Sequence, residues 1–260
     1  MTTDGNNYGR IAAAEGIGTA VLMLGGPGVA ILGGGTPTSV AVGGGLTLMI
    51  LMYLLGPSSG AHVNPAVTLG MLVAKKINLR WAITAWVAQV VGAIAGGAMI
   101  LGIANGRDPF VRGNFAANGY DRVADGRLFS GVGAVITVEV IFTALLVMVY
   151  LFAAHRRFAP SMVGVVAGAT LALGWLVTGA IDGGSMNPAR SLGAAVFADT
   201  DPNALGQIWV FILFPLVGAI IGVVAWLVID EARLEDTLLV EVPGAAAVRD
   251  AAAEIDQAID

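Results

Sequence analysis

The sequence has no cysteine, which excludes disulfides, thiolate metal sites and cysteine nucleophiles. Charge is scarce too. Only 12% of residues are charged, where a soluble domain carries about 25%. With 57% hydrophobic residues and a mean hydropathy of +0.82, the composition is that of an integral membrane protein lying in a lipid bilayer. The formal net charge of −5 is unevenly placed. Residues 231–260 hold eight acids against two bases, and the rest of the chain holds ten acids against eleven bases. The acidity therefore belongs to a tail and says nothing about the partners of the core. The polar opening, residues 1–9, lacks the basic stretch of a signal peptide and reads as an N-terminal cytoplasmic segment. No cofactor, metal or nucleic-acid partner is expected.

What is abundant is glycine, 37 of 260 residues, about twice the usual share. In membrane helices small residues let backbones approach closely. Apolar runs near the ~20 residues needed to span a bilayer occur six times. They cover Arg10–Leu32, Ser39–Leu55, Trp81–Ala104, Gly131–Ala154, Ser161–Ile181 and Gln207–Ile229. Glu15 and Glu139 are the carboxylates lying inside these runs. Two shorter apolar pieces, Asn64–Ala74 and Asn187–Ala198, are too short to span and read as re-entrant half-helices. An even number of spans puts both termini on one side. Lys75, Lys76, Arg80, Arg156 and Arg157 fall on that side, which is then cytoplasmic.

The chain repeats itself. Gly60-Ala-His-Val-Asn-Pro-Ala66 resembles Gly183-Gly-Ser-Met-Asn-Pro-Ala189. Glu15 with Thr19-Ala20 matches Glu139 with Thr143-Ala144, and Val91-Gly-Ala-Ile94 matches Val217-Gly-Ala-Ile220. The offsets are 123, 124 and 126 residues. Each half is span, span, half-helix, span, and an odd number of crossings inverts the second half. The expected organisation is one channel domain over 10–230, with repeats over about 10–104 and 131–230, followed by an acidic cytoplasmic tail over 231–260. The tail reads as solvated chain, with Ala245–Ile259 as an alternative amphipathic helix.

Asn followed by Pro and Ala is the start of a helix. Asn64 and Asn187 cap free N–H groups, and Pro65 and Pro188 take the first helical position, where no hydrogen bond is lost. Ala66 and Ala189 complete the motif. Two such helices starting from mirrored loops would meet at mid-membrane. Each brings about half a positive charge and a side-chain amide donor. The irregular loops before them are tolerated at that depth only if protein buries them or they line a water-filled cavity. Such a lumen passes small neutral hydrogen-bonding molecules and repels cations, with Arg190 as a second barrier.

These motifs resemble those of the aquaporin, or major intrinsic protein, family: Ser-Gly-x-His-x-Asn-Pro-Ala-Val-Thr early and Asn-Pro-Ala-Arg-Ser late. The resemblance covers residues 10 to 230. It implies an all-α membrane fold of six transmembrane helices plus two re-entrant half-helices in an inverted 3+3 repeat. It also implies a homotetramer with one pore per subunit, in a plasma membrane such as a bacterial inner membrane. By the same resemblance Arg190 lines the outer constriction, completed by Gly44, Trp175 and Gly184. Water channels of the family usually carry an aromatic at the first position and His at the second, whereas glycerol facilitators carry Trp at the first and Gly at the second. This chain has Gly44 and Trp175, which matches neither. Two glycines should widen the filter, and Trp175 should supply an apolar wall.

Other readings stay open at this level. Glu15 and Glu139 are either structural ligands of the adjacent loops or a proton relay. His62 either orders its loop or gates by protonation. The favoured function is passive flow of water and small neutral solutes such as glycerol, and the chain is not an enzyme. Alternatives are ammonia, urea or uncharged metalloid acids as cargo, a proton-coupled transporter using Glu15 and Glu139, and a closed junction protein.

Overall fold

A computed structural model describes residues 7–107, 109–124, 126–154, 159–230, 234 and 237–239. Its helices are α1 (Tyr8–Gly25), α2 (Pro27–Gly33), α3 (Pro37–Ser59), α4 (Pro65–Val73), α5 (Leu79–Ala104), α6 (Val132–Ala153), α7 (Val163–Thr178), α8 (Pro188–Ala195) and α9 (Ala204–Ile229). A 3₁₀ turn at Pro160–Met162 precedes α7. The loop between α5 and α6 carries a short antiparallel ladder, β1 (Val123–Ala124) on β2 (Arg127–Leu128).

Four expected spans are single helices long and apolar enough to cross a membrane: α3, α5, α6 and α9. The other two differ from expectation. The first breaks, with α1 and α2 meeting at 42°. Gly26 stands at the break, and Pro27, which lacks an N–H and crowds the preceding turn, opens α2. The fifth begins with the 3₁₀ turn at Pro160 and its α-helix ends at Thr178, for 16 helical residues. The half-helices α4 and α8 have nine and eight residues. At 1.5 Å per residue each reaches about 12–14 Å, under half of a ~30 Å hydrocarbon core.

Which helices touch is unchanged when the two halves are exchanged. α1 lies along α5 as α6 lies along α9. α4 contacts α9 and α6, as α8 contacts α5 and α1. The contacts of α3 with α7 and of α4 with α8 map onto themselves. This is the signature of a pseudo-twofold axis between the halves. Glycine makes the approach possible. A Cβ on Gly96 would sit 2.8 Å from the carbonyl oxygen of Ala20, and one on Gly222 would sit 2.6 Å from that of Ala144. Gly218 stands in the same way 2.6 Å from the Val140 oxygen. Outward-facing residues are apolar. Leu46 and Leu54 on α3, Val87 and Val91 on α5, and Val228 on α9 are exposed, a surface suited to lipid rather than water.

Beyond α9 the described residues turn back on the bundle. Leu238 N–H donates to the Val73 carbonyl at the end of α4 at 2.8 Å, and Thr237 is buried. Of the described tail residues Thr237 is buried, while Leu234, Leu238 and Leu239 are exposed. The alternative helix at 245–259 lies outside the described residues, as do Arg156 and Arg157.

Gly218→Leu, which drives a side chain into the α6 backbone, should destabilise the protein by about 1–3 kcal/mol or abolish assembly. Gly102→Ala on α5 meets nothing within 4 Å and should be neutral or stabilising by about 0.5–1 kcal/mol. Thermal unfolding in detergent checks both.

Candidate pore

Each half-helix begins on its own cap. Asn64 Oδ1 accepts from Ala66 N–H at 2.8 Å. Asn187 Oδ1 accepts from Ala189 N–H at 3.0 Å and Arg190 N–H at 3.2 Å. Holding the oxygen on the cap turns each NH₂ outward, and the two then cross-link the halves. Asn64 Nδ2 donates to the Met186 carbonyl at 2.7 Å, and Asn187 Nδ2 donates to the Val63 carbonyl at 2.8 Å. Each Asn thus grips the residue just before the other Asn. An amide nitrogen has two hydrogens, so one on each side remains for other partners.

The loops feeding these caps are strained. Ala61, Val63 and Met186 adopt left-handed backbone with φ of 49°, 43° and 57°, at about 1–3 kcal/mol each. Buried carboxylates hold them there. Glu15 Oε1 accepts from Ser59 Oγ at 2.6 Å and His62 N–H at 3.0 Å. Its Oε2 accepts from Val63 N–H at 2.7 Å and Gln89 Nε2 at 2.8 Å. These four hydrogen bonds hold the loop against the strain at Ala61 and Val63. Glu139 accepts from Met186 N–H at 2.9 and 3.1 Å. His62 is buried on the same loop. Its Nδ1 lies 3.1 Å from Thr68 Oγ1, and its ring packs 4.7 Å from Trp81 and 5.9 Å from Tyr150. The expected ladder of free carbonyls is partly engaged. Tyr150 Oη donates to Ala61 O at 2.8 Å and Trp175 Nε1 to Ser185 O at 2.9 Å. A carbonyl has a second lone pair, so such atoms can still accept.

Gly44, Trp175, Gly184 and Arg190 come together around the Trp175 ring. A Cβ on Gly44 would overlap the six-membered ring, and one on Gly184 would lie 3.3 Å from Cγ. The Arg190 guanidinium stands 5.4 Å from the ring centroid. The room expected above Gly44 is therefore taken up by Trp175, because α3 and α7 cross where both residues are small or face inward. Trp175 and Arg190 help to line a cavity of about 210 Å³ that also touches Ala30, Val40, Ala116 and Phe129. Arg190 is buried, with only 1% of it exposed. Its Nη1 donates to Ala116 O at 2.8 Å and Asn118 Oδ1 at 2.7 Å.

Sequence reasoning missed several groups here. The 105–130 loop contributes Asn118, which also accepts from Ser191 Oγ at 2.9 Å. Arg122 of that loop is buried and donates to Asn114 Oδ1 at 2.8 Å. The turn-forming run Asn114-Phe-Ala-Ala-Asn118-Gly119 was the available signal. Gln89 was legible as an amide inside an apolar span. Asp182 stands in the second half where Ser59 stands in the first. It is fully buried; its Oδ1 accepts from Gly184 N–H at 2.7 Å, and its Oδ2 has no partner among the described residues.

Comparison with known proteins agrees with this architecture. Residues 4–226 match the family model described as Major intrinsic protein. Aquaporin Z of Brucella melitensis biotype 1 is 40% identical over 182 residues, covering 70% of this chain and 78% of that protein. Aquaporin Z of Photorhabdus laumondii subsp. laumondii is 34% identical over 221 residues, covering 82% of this chain and 94% of that protein. The X-ray structure of the aquaglyceroporin from Plasmodium falciparum superimposes with a TM-score of 0.72 at 22% identity, over 85% of this chain and 96% of that one. At that identity the last comparison speaks for the fold. Members of the family are channels and not enzymes, and the chain belongs to the Major intrinsic protein family as an integral membrane channel.

Proposed function

We propose that the chain conducts water passively, and small neutral solutes such as glycerol more slowly, while excluding protons and ions. The observation that carries this reading is the reciprocal pair of bonds from Asn64 to Met186 and from Asn187 to Val63. They bring the positive ends of α4 and α8 to one point midway through the bundle. The remaining amide hydrogens of Asn64 and Asn187 receive the oxygen of a permeating molecule, and loop carbonyls receive its hydrogens. A cation meets two helix N-termini and then Arg190, and the described residues lining the cavity beside Arg190 include no carboxylate. Pro65, Ala66, Pro188 and Ala189 fix where the amides stand. Gly44, Trp175, Gly184 and Arg190 form the constriction. The Trp175 ring takes up the space over Gly44, which supports slower passage of glycerol than of water.

Glu15, Glu139 and His62 order the loops in this reading. Glu15 is engaged by four donors of the loop before α4 and its surroundings, and Glu139 by Met186 N–H, which supports a structural role for both and the channel over a proton-coupled transporter. Ammonia, urea or an uncharged metalloid acid would use the same lumen. The working unit is residues 10–230, with termini on the cytoplasmic face of a bacterial inner membrane. Apolar flanks on α3, α5 and α9 are suited to lipid and to a homotetramer with one pore per subunit.

In proteoliposomes, shrinkage in sucrose should be much faster than in empty liposomes and insensitive to a protonophore. Re-swelling in glycerol should exceed the empty-liposome rate but trail water. Uptake that saturates and collapses with the proton gradient would falsify the channel reading. Absence of both fluxes would favour a closed junction protein. Arg190→Ala should keep water flow and raise proton leak by about an order of magnitude, equivalent to about 1.4 kcal/mol of barrier, as read by a pH dye trapped in the vesicles.

A further inference from the structure

Gly26 was absent from the constriction read from the sequence, yet it touches the residue that dominates it. A Cβ built on Gly26 would lie 2.6 Å from both Cη2 and Cζ3 of Trp175. One built on Gly44 would overlap Cζ3 and lie 3.0 Å from Cη2. These are the same two atoms, at the outer tip of the indole. The tip is therefore seated in a slot with no side chain on either wall. One wall is the break between α1 and α2, and the other is α3. The opposite edge of the ring is tied to the 183–186 loop by Nε1–H donating to Ser185 O at 2.9 Å. Arg190 stands over the ring at 5.4 Å. A rigid bicycle held between the slot and this loop has one direction in which to yield. A methyl group in the slot drives it toward the loop and Arg190, across the constriction.

We propose that Gly26 is a positioning residue of the selectivity filter, which with Gly44 seats the Trp175 ring in the wall and so sets the width open to solute. The helix break at Gly26–Pro27 is then part of the filter, since a continuous α1 would carry a helical backbone past the ring. This inference rests on the channel reading above.

The test uses the full chain in proteoliposomes, with water and glycerol permeability measured per reconstituted protein. Gly26→Ala and Gly44→Ala should each lower glycerol permeability by about tenfold, the effect of about 1.4 kcal/mol of added barrier, with a smaller loss for water. The water-to-glycerol ratio therefore rises, which simple loss of folded protein would not produce. Adding Trp175→Ala to either variant should return both rates to those of Trp175→Ala alone. Gly33→Ala on α2, which meets nothing within 4 Å, should match the parent. If the single alanine variants fail to reconstitute, the doubles with Trp175→Ala should reconstitute and conduct. Parental rates in both single variants, an unchanged ratio, or doubles that remain impaired overturn the proposal. A parent protein no faster than empty liposomes overturns the channel reading itself, and is seen before any variant is compared.

Discussion

Irregular backbone cannot stand in the middle of an apolar bundle unless its polar groups are satisfied, and this protein keeps two such loops at its centre. The loops before α4 and α8 are held by carboxylates from the helices behind them, Glu15 on α1 and Glu139 on α6. They are locked to each other by Asn64 and Asn187. An unmade bond here would leave a buried polar group at a cost of about 1–3 kcal/mol. The loop N–H groups of His62, Val63 and Met186 escape that cost by donating to Glu15 and Glu139. Glycines on α5 and α9 let α1 and α6 come close enough for their carboxylates to reach. The breaks at Gly60 and at Gly183–Gly184 turn the chain inward.

The two halves solve this problem with the same backbone and different side chains. In the first half Glu15 is surrounded by neutral donors, including Ser59 and Gln89. In the second, Asp182 stands in place of the serine and turns its Oδ1 to Gly184 N–H, and Arg190 is buried beside the same loop. The second half therefore buries ionisable side chains at positions where the first half has neutral ones. There too the 105–130 loop folds in, supplying Asn118 to hold Arg190 and Ser191. The asymmetry lies in side chains that an inverted duplication left free to diverge. The pairing of helices, which depends on close backbone approach, stayed common to both halves.

Much of this was legible in the chain. The Asn-Pro-Ala motifs announced two helix starts because cap and first-turn chemistry are local, and the structure caps both as expected. Glu15 and Glu139 stood out because an acid in an apolar span requires a partner. The abundance of glycine pointed to close backbone approach, and Gly92, Gly96, Gly218 and Gly222 stand at such approaches. Trp175, Gly44 and Gly184 were reached by counting along the chain from the motifs, and they do lie together. What counting could not give was their mutual fit. Two glycines suggested a wide opening, and the indole fills the space above one of them.

The sequence by itself determined the membrane class, the duplication, the capped half-helices and the buried acids, because each rests on composition or on neighbours a few residues apart. Only the tertiary structure decided the break between α1 and α2 as a contact of Trp175, the inward fold of the 105–130 loop, the capping of Gly184 N–H by Asp182 and the return of the chain to Val73. These depend on residues distant in sequence meeting at a particular angle. Hydropathy does not record which face of a uniformly apolar helix turns inward, and that orientation decides how wide the pore is.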